Sequence, residues 1–135
     1  MRLLGVDFGS RRIGIALAES DFGISSTRPS LKASGTLERD AEAIAAVARR
    51  ERADTVVVGI PENPEDERMS RVCRQLAEKI AALGLDVRTV DEALTTALAE
   101  SDLAAQGLKA SAIRRRKDGE AARRILDRFL AESRP

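Results

Sequence analysis

The chain opens with MRLLGVDFGSRRIGIALA, residues 1–18, and this stretch decides the fold. Two apolar runs, Leu3–Val6 and Ile13–Ala18, flank a turn of one glycine, one serine and two arginines, which is typical of an antiparallel β-hairpin. Asp7 stands at the end of the first run, where a buried carboxylate is costly unless a cation meets it. The stretch therefore predicts a hairpin with a cation-seeking acid, although Asp7 is also a common residue of turns.

The remaining sequence predicts three more strands. Ile24–Leu31 has the character of an edge strand with Pro29 near its end, and the β-branched run Thr55–Ile60 indicates a strand buried on both faces. Leu85–Val90 is the fifth predicted strand. Crossovers through helices add parallel strands, so we expect an α/β fold with one mixed five-stranded sheet. Three strands are antiparallel, two are parallel, and helices cover both faces.

Amphipathic spacing and capping residues place the helices. The predicted helices are Thr36–Glu51, Met69–Leu83, Thr95–Gln106 and Asp118–Glu132, with a basic loop expected over Ala110–Lys117. In the last helix, positions 118, 122, 125 and 129 form the stripe that faces the sheet. We expect residues 1–135 to form a single domain.

Composition narrows the chemistry. The chain of 135 residues has three Phe and neither Trp nor Tyr, so the core must be aliphatic. The absence of histidine excludes imidazole catalysis and most transition-metal chemistry. The single cysteine, Cys73, cannot form an internal disulfide, which favours a reducing compartment. Because no secretory or membrane-spanning stretch is evident, we expect a cytoplasmic protein without a membrane partner.

Three acids are predicted to meet at one edge of the sheet. Asp7 ends the first strand, Glu92 follows the fifth, and Asp118 opens the last helix. Ligands in such sheets bind beyond the carboxyl ends of the strands, and oxygen-liganded Mg²⁺ or Mn²⁺ offsets the repulsion of converging carboxylates. This arrangement predicts a metal-dependent enzyme acting on phosphate esters. Taken singly, Asp118 is also a reasonable helix N-cap and Glu92 a solvated acid.

Basic residues cluster near these acids. The formal net charge is only +1, but Lys109–Arg128 contains eight basic residues against three acidic ones. We expect phosphate-backbone contacts from this cluster and from the hairpin turn, although a run of charge is often only a solvated surface. The candidate nucleic-acid-binding residues are Arg11, Arg12, Arg114, Arg115, Arg116 and Lys117.

Four segments resemble the YqgF/RuvX family of Holliday junction resolvases, in family order and across nearly the whole chain. They are GVDFGSRRIGIAL (5–17), VVVGIPEN (56–63), DEALTT (91–96) and KDGEAARRIL (117–126). The resemblance implies an RNase H-like fold and a nuclease that trims the 5′ end of precursor 16S rRNA or resolves Holliday junctions. It also implies that Asp7, Glu92 and Asp118 are the catalytic ligands of two Mg²⁺ or Mn²⁺ ions. Gly59, Pro61 and Asn63 would shape the loop beside Asp7, with Asn63 near the nucleic acid.

The chain departs from the family pattern in three places, one of which is Glu120, near Asp118, where an apolar or small residue is usual. Ala93 replaces an arginine that usually follows the Asp-Glu pair, and Pro64–Glu67 is acidic where a Gly-Thr loop is usual. Ala93 and the acidic loop keep open a non-catalytic nucleic-acid-binding module with a decayed site. The strand–Asp–x–Gly turn also resembles the first phosphate loop of actin-like ATPases, which keeps open a nucleotide-binding domain of that type. Structured RNA or branched DNA as substrate, endo- or exonuclease action, Mg²⁺ or Mn²⁺, and monomer or homodimer also remain open.

Overall fold

The computed structural model describes residues 1–62, 67–91 and 110–132, and in the last range it describes side chains from Asp118 onward. Its strands are β1 (Arg2–Phe8), β2 (Arg12–Glu19), β3 (Ile24–Lys32), β4 (Thr55–Ile60) and β5 (Asp86–Asp91). They form a sheet with the spatial order β3-β2-β1-β4-β5. β1 and β3 flank β2 antiparallel, whereas β4 and β5 run parallel to β1. The predicted mixed five-stranded sheet is confirmed.

Helices cover both faces of this sheet. They are α1 (Leu37–Arg50), α2 (Arg68–Ala82) and α3 (Ala110–Glu132). The predicted cap of α1 is present, because the Thr36 hydroxyl accepts a hydrogen bond from the backbone N–H of Arg39 at 3.4 Å. The helix predicted over Thr95–Gln106 lies outside the described residues.

The basic loop predicted over Ala110–Lys117 is wrong, because these residues form the first two turns of α3. Alanine, arginine and lysine are strong helix formers, and the segment holds neither proline nor glycine, so its charge does not oppose helix formation. Asp118 is consequently the ninth residue of α3. The N-cap interpretation of Asp118 is therefore excluded, since an interior residue has no unpaired first-turn N–H to cap.

The sheet separates two hydrophobic clusters. The larger one, under α1 and α2, includes Ile13, Ile44, Leu76 and Ile80, none of which is exposed. The smaller one, under α3, contains three alanines among its eight buried residues. Gly5 explains why small residues are needed there: a Cβ at Gly5 would lie 2.7 Å from the backbone oxygen of Ala122 in α3. The backbone of α3 therefore lies directly on the sheet.

None of the helices in the described part of the chain has the length and apolar character that crossing a membrane requires.

Candidate active site

The carboxyl ends of β1, β4 and β5 lie at one edge of the sheet, as the predicted parallel arrangement requires. Val6 pairs with Val58 in the parallel register, and Ile60 pairs with Asp91. Asp7 is the next residue of β1, at this edge. Glu92 follows Asp91 directly in sequence, but it lies outside the described residues, so its place in the site stays a prediction.

Strand alternation places Asp7 on the face covered by α3. Leu3 packs in the cluster under α3, and Gly5 contacts the α3 backbone, whereas Leu4 and Val6 pack on the opposite face. Asp7 shares the parity of Leu3 and Gly5 and is half-buried. The strand therefore carries this carboxylate to the edge of the sheet beneath α3.

Gly14 brings α3 to the same point. It is the antiparallel partner of Asp7 across the β1–β2 hairpin. A Cβ at Gly14 would overlap the backbone carbonyl of Asp118, so only glycine permits this approach. Asp118 therefore sits directly above the strand neighbour of Asp7. The backbones at these two acids, 111 positions apart in the sequence, are thereby brought to the same part of the sheet edge.

The role of Gly14 is not among the predictions from the sequence. A glycine between Ile13 and Ile15, both buried strand residues, was the available signal, because such glycines often mark a close approach of another backbone. The stripe on α3 was predicted correctly: Ala122 and Ile125 are fully buried, and Phe129 packs against the same cluster.

Asp118 forms an ion pair with Arg12, with 2.5 Å between its Oδ2 and the arginine Nε. The Asp118 side chain is 15% exposed and that of Arg12 is 40% exposed, so the pair lies at the boundary between core and solvent. The pair supplies the cation that a largely buried carboxylate requires. One candidate phosphate-binding residue is thus in direct contact with one candidate metal ligand.

An open cleft of about 580 Å³ lies in front of this pair. It is lined by Gly9, Ser10, Arg11, Arg12 and Asp118. The turn that forms its wall is held at two points: the Gly9 N–H donates to the Arg12 carbonyl at 3.0 Å, and the Ala33 N–H donates to the Arg11 carbonyl at 2.9 Å. The backbone at Arg11 and Arg12 is therefore anchored, and only their side chains are free to reorient.

Two other groups of predicted residues are only partly placed. Asn63 lies outside the described residues. Arg114, Arg115, Arg116 and Lys117 have helical backbone within α3, which puts Arg114 one turn ahead of Asp118. Because the backbone here is helical, these four residues form the turn of α3 that directly precedes Asp118.

The described part of the site fits a hard divalent cation. Both of its acids offer carboxylate oxygen, the donor type that Mg²⁺ and Mn²⁺ prefer. Among the described residues, no three acidic, histidine or cysteine side chains cluster as a metal site, in keeping with the position of the third candidate, Glu92, outside them. A cationic group, the Arg12 guanidinium, already contacts Asp118. The two acids therefore suit a divalent cation by their donor chemistry, and such a cation would compete with Arg12 for Asp118.

The sheet order and the flanking helices define an RNase H-like α/β fold. The RuvC protein of Thermus thermophilus, solved in complex with a Holliday junction substrate, superposes with a TM-score of 0.59. The match covers 98% of this chain and 97% of RuvC at 14% identity, so the likeness concerns the fold. The family model of RuvX, described as Holliday junction resolvase, matches residues 1–132. The chain belongs to the RuvX family, which confirms the resemblance drawn from its motifs.

Relatives cover nearly the whole chain. A protein of Anaeromyxobacter sp. (strain Fw109-5) is 42% identical over 134 residues, which is 96% of each chain. A protein of Opitutus terrae is 33% identical over 141 residues, covering all of this chain and 94% of its own length. Both carry the name "Putative pre-16S rRNA nuclease".

Proposed function

We propose that this chain is a divalent-metal-dependent nuclease that hydrolyses phosphodiester bonds in structured nucleic acid, with the 5′ end of precursor 16S rRNA as its substrate. The observation that carries the proposal is the seat of Asp118 on Gly14, the strand partner of Asp7, in a cleft that Asp118 shares with Arg11 and Arg12. Acids alone would suit a structural cation site. Acids beside arginines in an open cleft suit a phosphate ester instead, because the arginines have room to bind its oxygens.

In this proposal Asp7, Glu92 and Asp118 hold two Mg²⁺ or Mn²⁺ ions. When bound, such ions activate water as a nucleophile and stabilise the leaving oxygen of an in-line displacement. The chain itself fixes the carboxylates, through β1 and through the seat of α3 on Gly14. Water adds to phosphorus, the bond to the 3′ oxygen breaks, and that oxygen leaves with a proton. The products carry a 5′ phosphate and a 3′ hydroxyl.

The arginines supply the binding of the backbone. Arg11 is exposed at the mouth of the cleft, where a phosphodiester can reach it, and Arg114–Lys117 lead along α3 toward Asp118. Such contacts act on the phosphates, so binding should depend on shape and salt more than on base sequence. Only three aromatic residues occur in the chain, which leaves little capacity for stacking on bases.

The rRNA substrate is favoured because relatives that match almost end to end are named for it. A four-way DNA junction is the second candidate, supported by the description of the family model. That substrate needs two symmetric cuts and hence a homodimer, whereas trimming an RNA end requires only one site. The buried thiol of Cys73, the single cysteine of the chain, suits the reducing cytoplasm in which either substrate would be met.

The test is cleavage of a labelled precursor 16S rRNA end and of a four-way DNA junction, each with Mn²⁺, Mg²⁺ or EDTA. Asp7→Asn should lower the cleavage rate by more than about 100-fold, since even partners of metal ligands cost 10- to 100-fold when replaced. Asp21→Asn is the matched control. Asp21 is exposed and lies in the turn between β2 and β3, at the other edge of the sheet, so its rate should equal that of the wild type.

The outcomes separate the candidates. Metal-dependent cutting of the RNA that Asp7→Asn loses and Asp21→Asn keeps supports the proposal. Cleavage of the junction and not of the RNA indicates a role in recombination instead. Binding of both substrates without cleavage under any metal contradicts the nuclease and favours a non-catalytic nucleic-acid-binding module.

A further inference from the structure

The contact between Arg12 and Asp118 poses a problem for the proposed cation site. Asp118 Oδ2 lies 2.5 Å from the guanidinium Nε, shorter than the usual 2.7–2.9 Å of a charge-assisted hydrogen bond. A divalent cation bound through the same oxygen would face this guanidinium at close range and be repelled by it. The two cations therefore compete for Asp118 Oδ2.

We propose that Arg12 and a divalent cation exchange at Asp118: cation binding releases the guanidinium, which then binds a phosphate of the substrate. This inference rests on the proposed function, because it requires that the site take a cation. It adds a coupling between the binding of the cation and the binding of the substrate phosphate. The arginine is held by the protein in the absence of the cation and becomes available to substrate only after the cation arrives.

The anchoring of the turn supports the exchange. Arg12 pairs with Lys32 in the β2–β3 register, and its carbonyl accepts the Gly9 N–H at 3.0 Å. Release from Asp118 therefore moves the side chain and leaves the backbone in place. The freed guanidinium remains in the cleft of about 580 Å³ that Asp118 also lines, which is where a phosphate beside the cation site would lie.

Arg11 provides an internal comparison. It is adjacent in sequence, has the same charge and lines the same cleft, but it is exposed. General electrostatic repulsion of a cation should involve both arginines, whereas exchange at Asp118 should depend on Arg12 alone, whose Nε contacts the carboxylate.

The experiment measures Mn²⁺ affinity without nucleic acid, by the paramagnetic resonance of free Mn²⁺, for the full-length wild type, Arg12→Ala and Arg11→Ala. Arg12→Ala should bind Mn²⁺ at least about tenfold more tightly, the lower bound for removing a competing hydrogen bond between charged groups. Arg11→Ala should change the affinity by less than about threefold, as expected for an exposed charge. Melting in EDTA checks that each variant is folded.

A second measurement uses the wild-type protein and so does not depend on whether a variant folds. In ¹⁵N spectra the Arg12 Nε–H should be protected from solvent exchange without metal, because Asp118 accepts its hydrogen bond. Addition of Mg²⁺ should remove that protection, while the Nε–H of Arg28, which lies 3.4 Å from Glu51, keeps its exchange rate.

The results distinguish this inference from the proposed function. If wild type binds Mn²⁺ and Arg12→Ala binds it equally or more weakly, exchange at Asp118 is wrong and the nuclease proposal stands. Retained protection of the Arg12 Nε–H in saturating Mg²⁺ leads to the same conclusion. If no form binds a divalent cation, both proposals fail together.

Discussion

The two faces of the sheet are packed by different means. Under α1 and α2, large aliphatic side chains such as Ile44 and Leu76 fill the space and keep the helices at a distance from the strands. Under α3, glycines and alanines let the helix backbone rest on the sheet, with Gly14 directly against Asp118. The first face stabilises the fold, whereas the second positions the candidate site. Close backbone contact restricts the position of the helix to a narrow range, which suits the placement of carboxylates.

The largest expected effect on stability comes from the first face. Leu76→Ala removes a fully buried side chain from α2 and should lower the free energy of unfolding by about 2–5 kcal/mol, as measured by urea denaturation. The cleavage rate of the folded fraction should stay at the wild-type level, because Leu76 lies across the sheet from the acids. Leu83→Ala, at a position that is 36% exposed, is the control and should cost far less. A large loss of cleavage in folded Leu76→Ala would contradict the division of roles.

Gly14→Ala should have the opposite effect, with a large loss of cleavage and a smaller loss of stability. The new Cβ overlaps the Asp118 carbonyl, so α3 must shift, at a cost of about 1–3 kcal/mol. A displacement of about 1 Å at a catalytic group can cost 100-fold in rate, so cleavage should fall far more than stability.

Ala18→Val tests whether that effect is specific. Ala18 is buried under α3 and pairs with Leu3, at the other end of β2 from the acids. Overpacking there should cost a similar free energy of unfolding while the cleavage rate stays within a few-fold of wild type. Equal losses of rate in both variants would mean that any movement of α3 inactivates the protein.

The smallest expected effect concerns the surface of the α1–α2 layer. Lys79 donates a hydrogen bond to Glu38 across 2.9 Å, and this contact lowers the pKa of the Glu38 carboxyl. A lowered pKa means that the contribution is present above the pKa of the unfolded chain and is lost as pH falls through the folded value. Glu38→Gln should therefore lower stability near pH 7 by only a small amount, because the Glu38 side chain is exposed, and should leave stability unchanged at a pH below the folded value, which flattens the acid limb of the stability curve slightly. A large change at pH 7 in melting experiments would show that this layer depends on charge as well as packing.

Much of the fold was predictable because local patterns and global packing agree. The β-branched run Thr55–Ile60 was predicted as a buried strand, and all six of its residues are buried. The stripe Ala122, Ile125 and Phe129 identified the face of α3 before any contact was known. Hydrophobic periodicity shows which face of a helix or strand is apolar, and an apolar face must be buried against another element.

The candidate site was predictable in its acids and unpredictable in its contacts. The sequence predicts Asp7 and Asp118 at one edge, but its run of arginines also predicts a loop that ends at Asp118, whereas the structure has helix from Ala110 onward. The ion pair from Arg12 to Asp118 spans 106 positions, and no local pattern selects Asp118 over other acids as the partner. Such contacts follow only from the register of the strands and the seat of the helix.

The span between Arg12 and Asp118 also has a consequence for synthesis on the ribosome. The hairpin that carries Asp7 and Arg12 is translated before α3, which carries Asp118. A growing chain can therefore complete most of its sheet while the face above Gly14 is still bare. The two halves of the site meet only when α3 docks, so a nascent or truncated chain without α3 carries Asp7 and Arg12 but lacks Asp118.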